Sequence, residues 1–182
     1  MSSNGTRPRT TLRSAAAVGI AALTLGLTAL GGGQAFAAPH AGLSATFEFP
    51  NDSGKCLEIE NSSTANGARA QQWDCKGQAG SKWQWQSAGD GFYNVVNVHS
   101  GKCLEIENSS TANGAAAQQW TCNGQNGAKW KLIQVRWGGG MSRYKLQNHS
   151  GKVLEITNSS TANGANAQQW EYKGQSGALW VY

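Results

Sequence analysis

"SGKCLEIENSSTANGARAQQWDCKGQAGSKW", residues 53–83, returns as "SGKCLEIENSSTANGAAAQQWTCNGQNGAKW" at 100–130 and as "SGKVLEITNSSTANGANAQQWEYKGQSGALW" at 150–180. The copies begin at Ser53, Ser100 and Ser150, 47 and 50 residues apart. Such a period marks a repeat fold, either a solenoid or a closed threefold structure. Between the copies, 86–99 and 133–149 have little in common, so the identity is concentrated inside the unit. Recent duplication is the competing explanation of that identity.

Within a copy, "KCLEIE" and "AQQWDC" alternate in residue type. With "FYNVVNV" (92–98) and "KWQW" (82–85) they make about four short strands per unit, separated by Gly, Asn and Ser. Helical periodicity is absent beyond residue 37. Three four-stranded units, with "ATFEF" (45–49) available to pair with "LWVY" (179–182), predict an all-β ring that closes on itself and leaves no sheet edge.

The first 37 residues read differently. Arg7, Arg9 and Arg13 precede an apolar run from Ala15 to Leu30, and Ala35-Phe36-Ala37 has the small-residue form of a cleavage site. The run is shorter than the roughly 20 residues of a membrane span, so 1–37 is expected to be a cleaved export signal and 38–182 a single secreted domain, with repeats at about 44–90, 91–140 and 141–182. The chain has 15 Lys and Arg against 10 Asp and Glu; less those three arginines, 12 remain, a net charge near +2. Nucleic-acid binding thereby loses its electrostatic argument. Cys56, Cys75, Cys103 and Cys122 are an even set in an exported chain, which favours disulfides over metal ligands. The third copy replaces both members of the pair together, by Val153 and Tyr172, so each pair is expected to bond within its own repeat. Such a loop of about 20 residues contributes on the order of 3 kcal/mol.

A two-residue period sets Leu57 and Ile59 on one face of their strand and Cys56, Glu58 and Glu60 on the other, and it groups Gln71, Trp73 and Cys75. With Cys56 opposite Cys75, the register predicts Glu58 opposite Trp73 and Glu60 opposite Gln71. An acid, an amide and an indole then share a face, as do Glu105, Gln118 and Trp120, and Glu155, Gln168 and Trp170. This set suits a sugar, whose hydroxyls take a carboxyl and an amide while its C–H face packs on a ring. A repeated Trp in a small β protein is equally a core residue, and Trp83, Trp130 and Trp180, in the closing strands, are assigned to the core. The octet "NSSTANGA", at 61–68, 108–115 and 158–165, joins the two site strands, and its Asn-Gly pairs supply the positive φ of a tight turn. Its hydroxyls are expected to cap backbone groups.

"SGKCLEI", "STANGA", "AQQWDC" and the late "KW", three times over, resemble the ricin-type β-trefoil lectins, also classed as family 13 carbohydrate-binding modules, across about 44–182. The resemblance implies a β-trefoil: three homologous four-stranded repeats closing into a barrel with a hairpin cap. It further implies a shallow sugar pocket in each repeat, with Glu58, Glu105 or Glu155 at the acidic position, usually Asp, and Gln71/Trp73, Gln118/Trp120 or Gln168/Trp170 as polar partner and stacking ring. The family's late Asn-Gln pair falls on Gly80-Ser81, Gly127-Ala128 and Gly177-Ala178, so that amide is missing here. Gln78, Gln125 and Gln175 stand nearby.

The function expected is a secreted, non-enzymatic carbohydrate-binding protein, a monomer without cofactor or metal, with up to three weak sites for a polysaccharide or cell-surface glycan. A β-trefoil that serves as a protein-interaction or inhibitor scaffold, its sugar sites degenerate, is the alternative. Hydrolysis would require a carboxyl pair such as Glu58 and Glu60, yet the third copy has Thr157 at the second position.

Overall fold

A computed structural model of the chain describes Met1, 45–135 and 142–182. Apart from Met1, these residues lie in the second of two compact units, Ala35–Tyr182. The signal read over 1–37 lies outside the described residues, Met1 aside, as do residues 38–44 and 136–141.

Ten strands follow one another, and no α-helix is present among the described residues. They are β1 (Cys56–Ile59), β2 (Ala70–Trp73), β3 (Trp83–Gly89), β4 (Phe92–Asn97), β5 (Cys103–Ile106), β6 (Ala117–Trp120), β7 (Trp130–Val135), β8 (Arg143–Asn148), β9 (Val153–Ile156) and β10 (Ala167–Trp170). Three antiparallel hairpins, β1/β2, β5/β6 and β9/β10, have the same register. They touch one another through the bridges Arg69–Gln118, Ala116–Gln168 and Gln71–Asn166 and form a cap. Below it, β3 pairs with β4, β4 meets β7 at Tyr93 and Trp130, and β7 pairs with β8.

The ring closes between the two ends of the unit, as the sequence suggested. Phe47 bridges to Trp83, Trp180 bridges to both Asn51 and Tyr144, and Val181 N donates to Pro50 O at 2.8 Å. These first and last positions make single bridges instead of full strands. Ten strands therefore stand where four per repeat would make twelve, and Pro50, with no N–H to give to a ladder, limits the first of these segments. The architecture is a β-trefoil.

The inward face is the predicted one. Leu57, Ile59, Leu104, Ile106, Leu154 and Ile156 are fully buried with Trp83, Trp130 and Trp180. Each indole also satisfies its N–H, donating to Leu57 O at 2.9 Å, Leu104 O at 2.9 Å and Leu154 O at 3.2 Å. A buried Trp needs such a partner, and this one ties the end of every repeat to its first hairpin strand. Cys56–Cys75 and Cys103–Cys122 are disulfide-bonded within their repeats.

The predicted hairpin register is wrong by two residues. Cys56 stands opposite Trp73, Glu58 opposite Gln71, and Ile59 opposite Ala70. The cause is that β2 ends at Trp73, so Cys75 reaches back to Cys56 diagonally from beyond the ladder instead of facing it. Glu60 consequently leaves the strand: it lies exposed in a one-turn 3-10 helix, Glu60–Ser62, with its backbone N–H on Arg69 O.

Candidate functional site

The register places carboxyl and amide directly across from each other on the outer face of each hairpin. Gln71 Nε2 donates to Glu58 Oε1 at 2.8 Å, and Gln78 Nε2 donates to Glu58 Oε2 at 2.6 Å. The same pair of donors holds Glu105, from Gln118 at 3.0 Å and Gln125 at 2.6 Å, and Glu155, from Gln168 at 2.8 Å and Gln175 at 2.6 Å. All three glutamates are buried. A buried carboxyl without partners is costly; here each oxygen has an amide, and this fixes the rotamers of all three side chains.

Beside each carboxyl stands an indole. Trp73 and Trp120 are 38% and 40% exposed, while Trp170 is half-buried. These rings are on the surface, unlike Trp83, Trp130 and Trp180, so the platform alternative fits them and the core alternative does not. In the first repeat the floor and the ring enclose a shallow cavity of about 250 Å³, lined by Glu58, Asn61, Ser62, Gln71, Trp73, Lys76 and Gln78. The structure thus brings together every sequence-predicted residue of each trio and adds Gln78, Gln125 and Gln175.

Those added glutamines answer the missing late amide. Gln78 is held in place because its Oε1 accepts from Lys76 N at 3.0 Å and its Nε2 also donates to Asp74 O at 3.0 Å. The glycine in the family's Asn position has no room for a side chain. A Cβ on Gly80, Gly127 or Gly177 would stand 2.6, 2.4 or 2.7 Å from the carbonyl oxygen of Ile59, Ile106 or Ile156. Backbone fills that space, and Gly80 N donates to Ser62 Oγ at 2.8 Å.

The octet does more than turn the chain. Gly67, Gly114 and Gly164 have φ near +80°, as expected, but Asn61, Asn108 and Asn158 also adopt φ of 54–56°, followed by a serine near +50°. Ser63 Oγ accepts from Ala65 N at 3.1 Å, a capping contact repeated at Ser110 and Ser160. The main partner of each octet, however, is in the following repeat. Gln119 Nε2 donates to Ser63 O at 2.7 Å and Ala65 O at 2.9 Å; Gln169 does the same to Ser110 O and Ala112 O, and Gln72 to Ser160 O and Ala162 O. Gln72, Gln119 and Gln169 are wholly buried on the inward face. Sequence reasoning passed over them, although a glutamine repeated at a core-facing position was itself the signal.

Asp74, next to Trp73, has its carboxyl lowered from an ordinary value near 3.8 to about 2, first by the hydrogen bond from Lys55 and then by that from Asn163. Lys55 Nζ lies 2.7 Å from Asp74 Oδ1. Among the described residues no group of three His, Cys, Asp or Glu side chains is placed to hold a metal ion, and no helix is long and apolar enough to cross a membrane.

The fold is that of a threefold β-trefoil of the lectin type, with an amide-clamped carboxyl and an indole beside it in each repeat. The sequence model of the ricin-type β-trefoil lectin domain-like family matches three overlapping stretches, 42–120, 79–170 and 126–182, and the chain belongs to that family. Among solved structures it is similar to ThreeFoil, a designed 3-fold symmetric protein, at 38% identity over 75% of this chain and 96% of that one, with a TM-score of 0.69. It also resembles part of 1,3Gal43A, an exo-β-1,3-galactanase from Clostridium thermocellum, at 31% identity and TM-score 0.69; this covers 75% of the chain but 29% of the galactanase. The Rhizoctonia solani agglutinin, at 19% identity, TM-score 0.66, and covering 79% of this chain and 97% of its own, shares the fold. Comparison with curated proteins by sequence gives no match.

Proposed function

We propose that the chain is a secreted, non-catalytic carbohydrate-binding protein whose three outer pockets each hold one sugar unit of an oligo- or polysaccharide. The observation that carries this reading is the carboxyl clamped by two amides beside a surface indole, built three times from the same residue types. The clamp sets hydrogen-bonding groups in fixed positions before a ligand arrives, and the ring offers its face to sugar C–H groups. Membership of a lectin family and two disulfides support glycan binding outside the cell. Against hydrolysis, Glu60 does not line the pocket, and Glu58 has both oxygens engaged by amides.

A glycan and polysaccharide array, headed by β-1,3-galactan because of the galactanase likeness, tests the reading. The parent is expected to bind, and the variant Trp73→Ala/Trp120→Ala/Trp170→Ala to lose binding with its thermal unfolding little changed. A folded parent that binds nothing, or a variant that binds equally well, would reject sugar pockets here and favour a protein-interaction scaffold.

A further inference from the structure

We propose that each sugar pocket is built by two repeats, and that the Asn-Gly turn of the preceding repeat is its specificity-determining wall. Asn163-Gly164 would wall the pocket of Trp73, Asn66-Gly67 that of Trp120, and Asn113-Gly114 that of Trp170. The inference rests on the carbohydrate reading above and deepens it.

Three observations carry it, each made three times. The side chain of the turn asparagine grips the backbone just past the neighbouring ring: Asp74 N donates to Asn163 Oδ1 at 3.1 Å, Thr121 N to Asn66 Oδ1 at 3.0 Å, and Glu171 N to Asn113 Oδ1 at 3.0 Å. The turn glycine donates its N–H across the same boundary, Gly164 to Gln72 O, Gly67 to Gln119 O and Gly114 to Gln169 O, each at 2.9 Å. The glycine is not among the residues that line the cavity of the first repeat, but it lies against two side chains that do, the ring and the amide. A Cβ on Gly164 would stand 3.6 Å from Trp73 Cζ3 and 3.9 Å from Gln71 Oε1; the corresponding distances are 3.7 and 3.9 Å for Gly67, and 3.5 and 4.0 Å for Gly114.

The last distances give the glycine a role in recognition. Gln71 spends its Nε2 on Glu58, and among the described residues no donor reaches its Oε1. A side chain at position 164 would lie in van der Waals contact with that oxygen and would crowd a sugar hydroxyl bound to it. The left-handed φ of 79° at Gly164 would by itself explain a glycine, but asparagine also tolerates that region, so the two explanations can be separated. Each octet thereby serves two pockets: Asn61 and Ser62 line the one in their own repeat, while Asn66 and Gly67 close the next.

The test isolates one pocket. In Trp120→Ala/Trp170→Ala, with only the Trp73 site left, Gly164→Asn is expected to weaken binding of a β-1,3-galactan oligosaccharide about tenfold, the cost of one hydrogen bond. Gly151→Asn in the same background, at an equally left-handed glycine with nothing within 4 Å of an added Cβ, should leave it unchanged. Asn163→Ala is a second variant should the first fold poorly, again with Gly151→Asn as the neutral counterpart. Independently of any ligand, fluorine spectra of the otherwise unmodified protein labelled with 5-fluorotryptophan should show Gly164→Asn shifting the Trp73 resonance and Gly67→Asn that of Trp120. Effects confined to the ring of the same repeat would overturn the two-repeat pocket. If neither the galactan nor any other glycan binds the parent, the carbohydrate reading fails, and with it the role in specificity; the fluorine shifts then still decide whether the wall crosses repeats.

Discussion

Asp74 makes the first pocket chemically unlike the other two, since its counterparts are Thr121 and Glu171. Its carboxyl accepts from Lys55 and is pulled down to about 2. A folded-state value below the unfolded one means that the ionised form favours the fold. Its contribution is therefore complete above about pH 4 and is lost as pH falls from there through about 2. The pair is partly exposed, so the effect on global stability is small, but the residue adjoins Trp73. An acid titration followed by NMR should give Asp74 a midpoint near 2, moving up towards 3.8 in Lys55→Gln, with the Trp73 indole signal following it and that of Trp120 unmoved. A midpoint of 3.8 in the parent would refute the coupling. At this scale the sequence was legible wherever strand parity applied: Glu58, Gln71 and Trp73 share their predicted face because alternation admits no other arrangement. Gln78 was legible only as a neighbour, because it follows the end of β2, where no period governs direction.

Among elements, the hairpins are interchangeable except in the third repeat, where Val153 and Tyr172 replace the cysteine pair. Val153 stands opposite Trp170 as Cys56 stands opposite Trp73, so the backbone offers the same diagonal crossing. The replacement has its own contact, Lys145 Nζ over the Tyr172 ring at 4.8 Å, worth about 0.5–1 kcal/mol at an exposed site. Val153→Cys/Tyr172→Cys is expected to close a third disulfide and, after that loss, to raise stability by about 2 kcal/mol in oxidised protein; urea unfolding with and without reductant measures it. No gain, or no bond, would show that the third hairpin differs from the first two. The same diagonal explains why the register was misread. A disulfide restricts the distance between two residues without making them ladder partners, and Cys75 lies past the last paired residue. The octet was legible as a turn, whereas its bonds to Gln72, Gln119 and Gln169 join residues more than fifty positions apart, a separation at which local pattern is silent.

At the scale of the whole molecule, those bonds run in a circle, from the first octet to the second repeat, from the second to the third and from the third back to the first. The closed ring, sealed between Pro50 and Val181, carries the three carboxyl–amide–indole clusters, the proposed pockets, on one body. A shallow cavity of about 250 Å³ encloses little of a ligand, so each pocket alone is expected to bind weakly, and strength must come from several at once. On a polymer, the second and third contacts become intramolecular, and avidity exceeds single-site affinity by roughly 10² to 10⁴. Removing Trp73, Trp120 and Trp170 one after another by change to alanine distinguishes this from a single dominant site. For a short free oligosaccharide, calorimetry should show the stoichiometry falling from three to two to one and then to none, with little change in affinity at the pockets that remain. Retention on the immobilised polysaccharide should instead fall steeply with the first loss and again with the second. If one substitution abolished both, a single pocket would carry the binding and the threefold body would be only its scaffold. If retention followed stoichiometry in proportion, the pockets would act independently, because their spacing on the rigid ring would not match any repeat along the polymer.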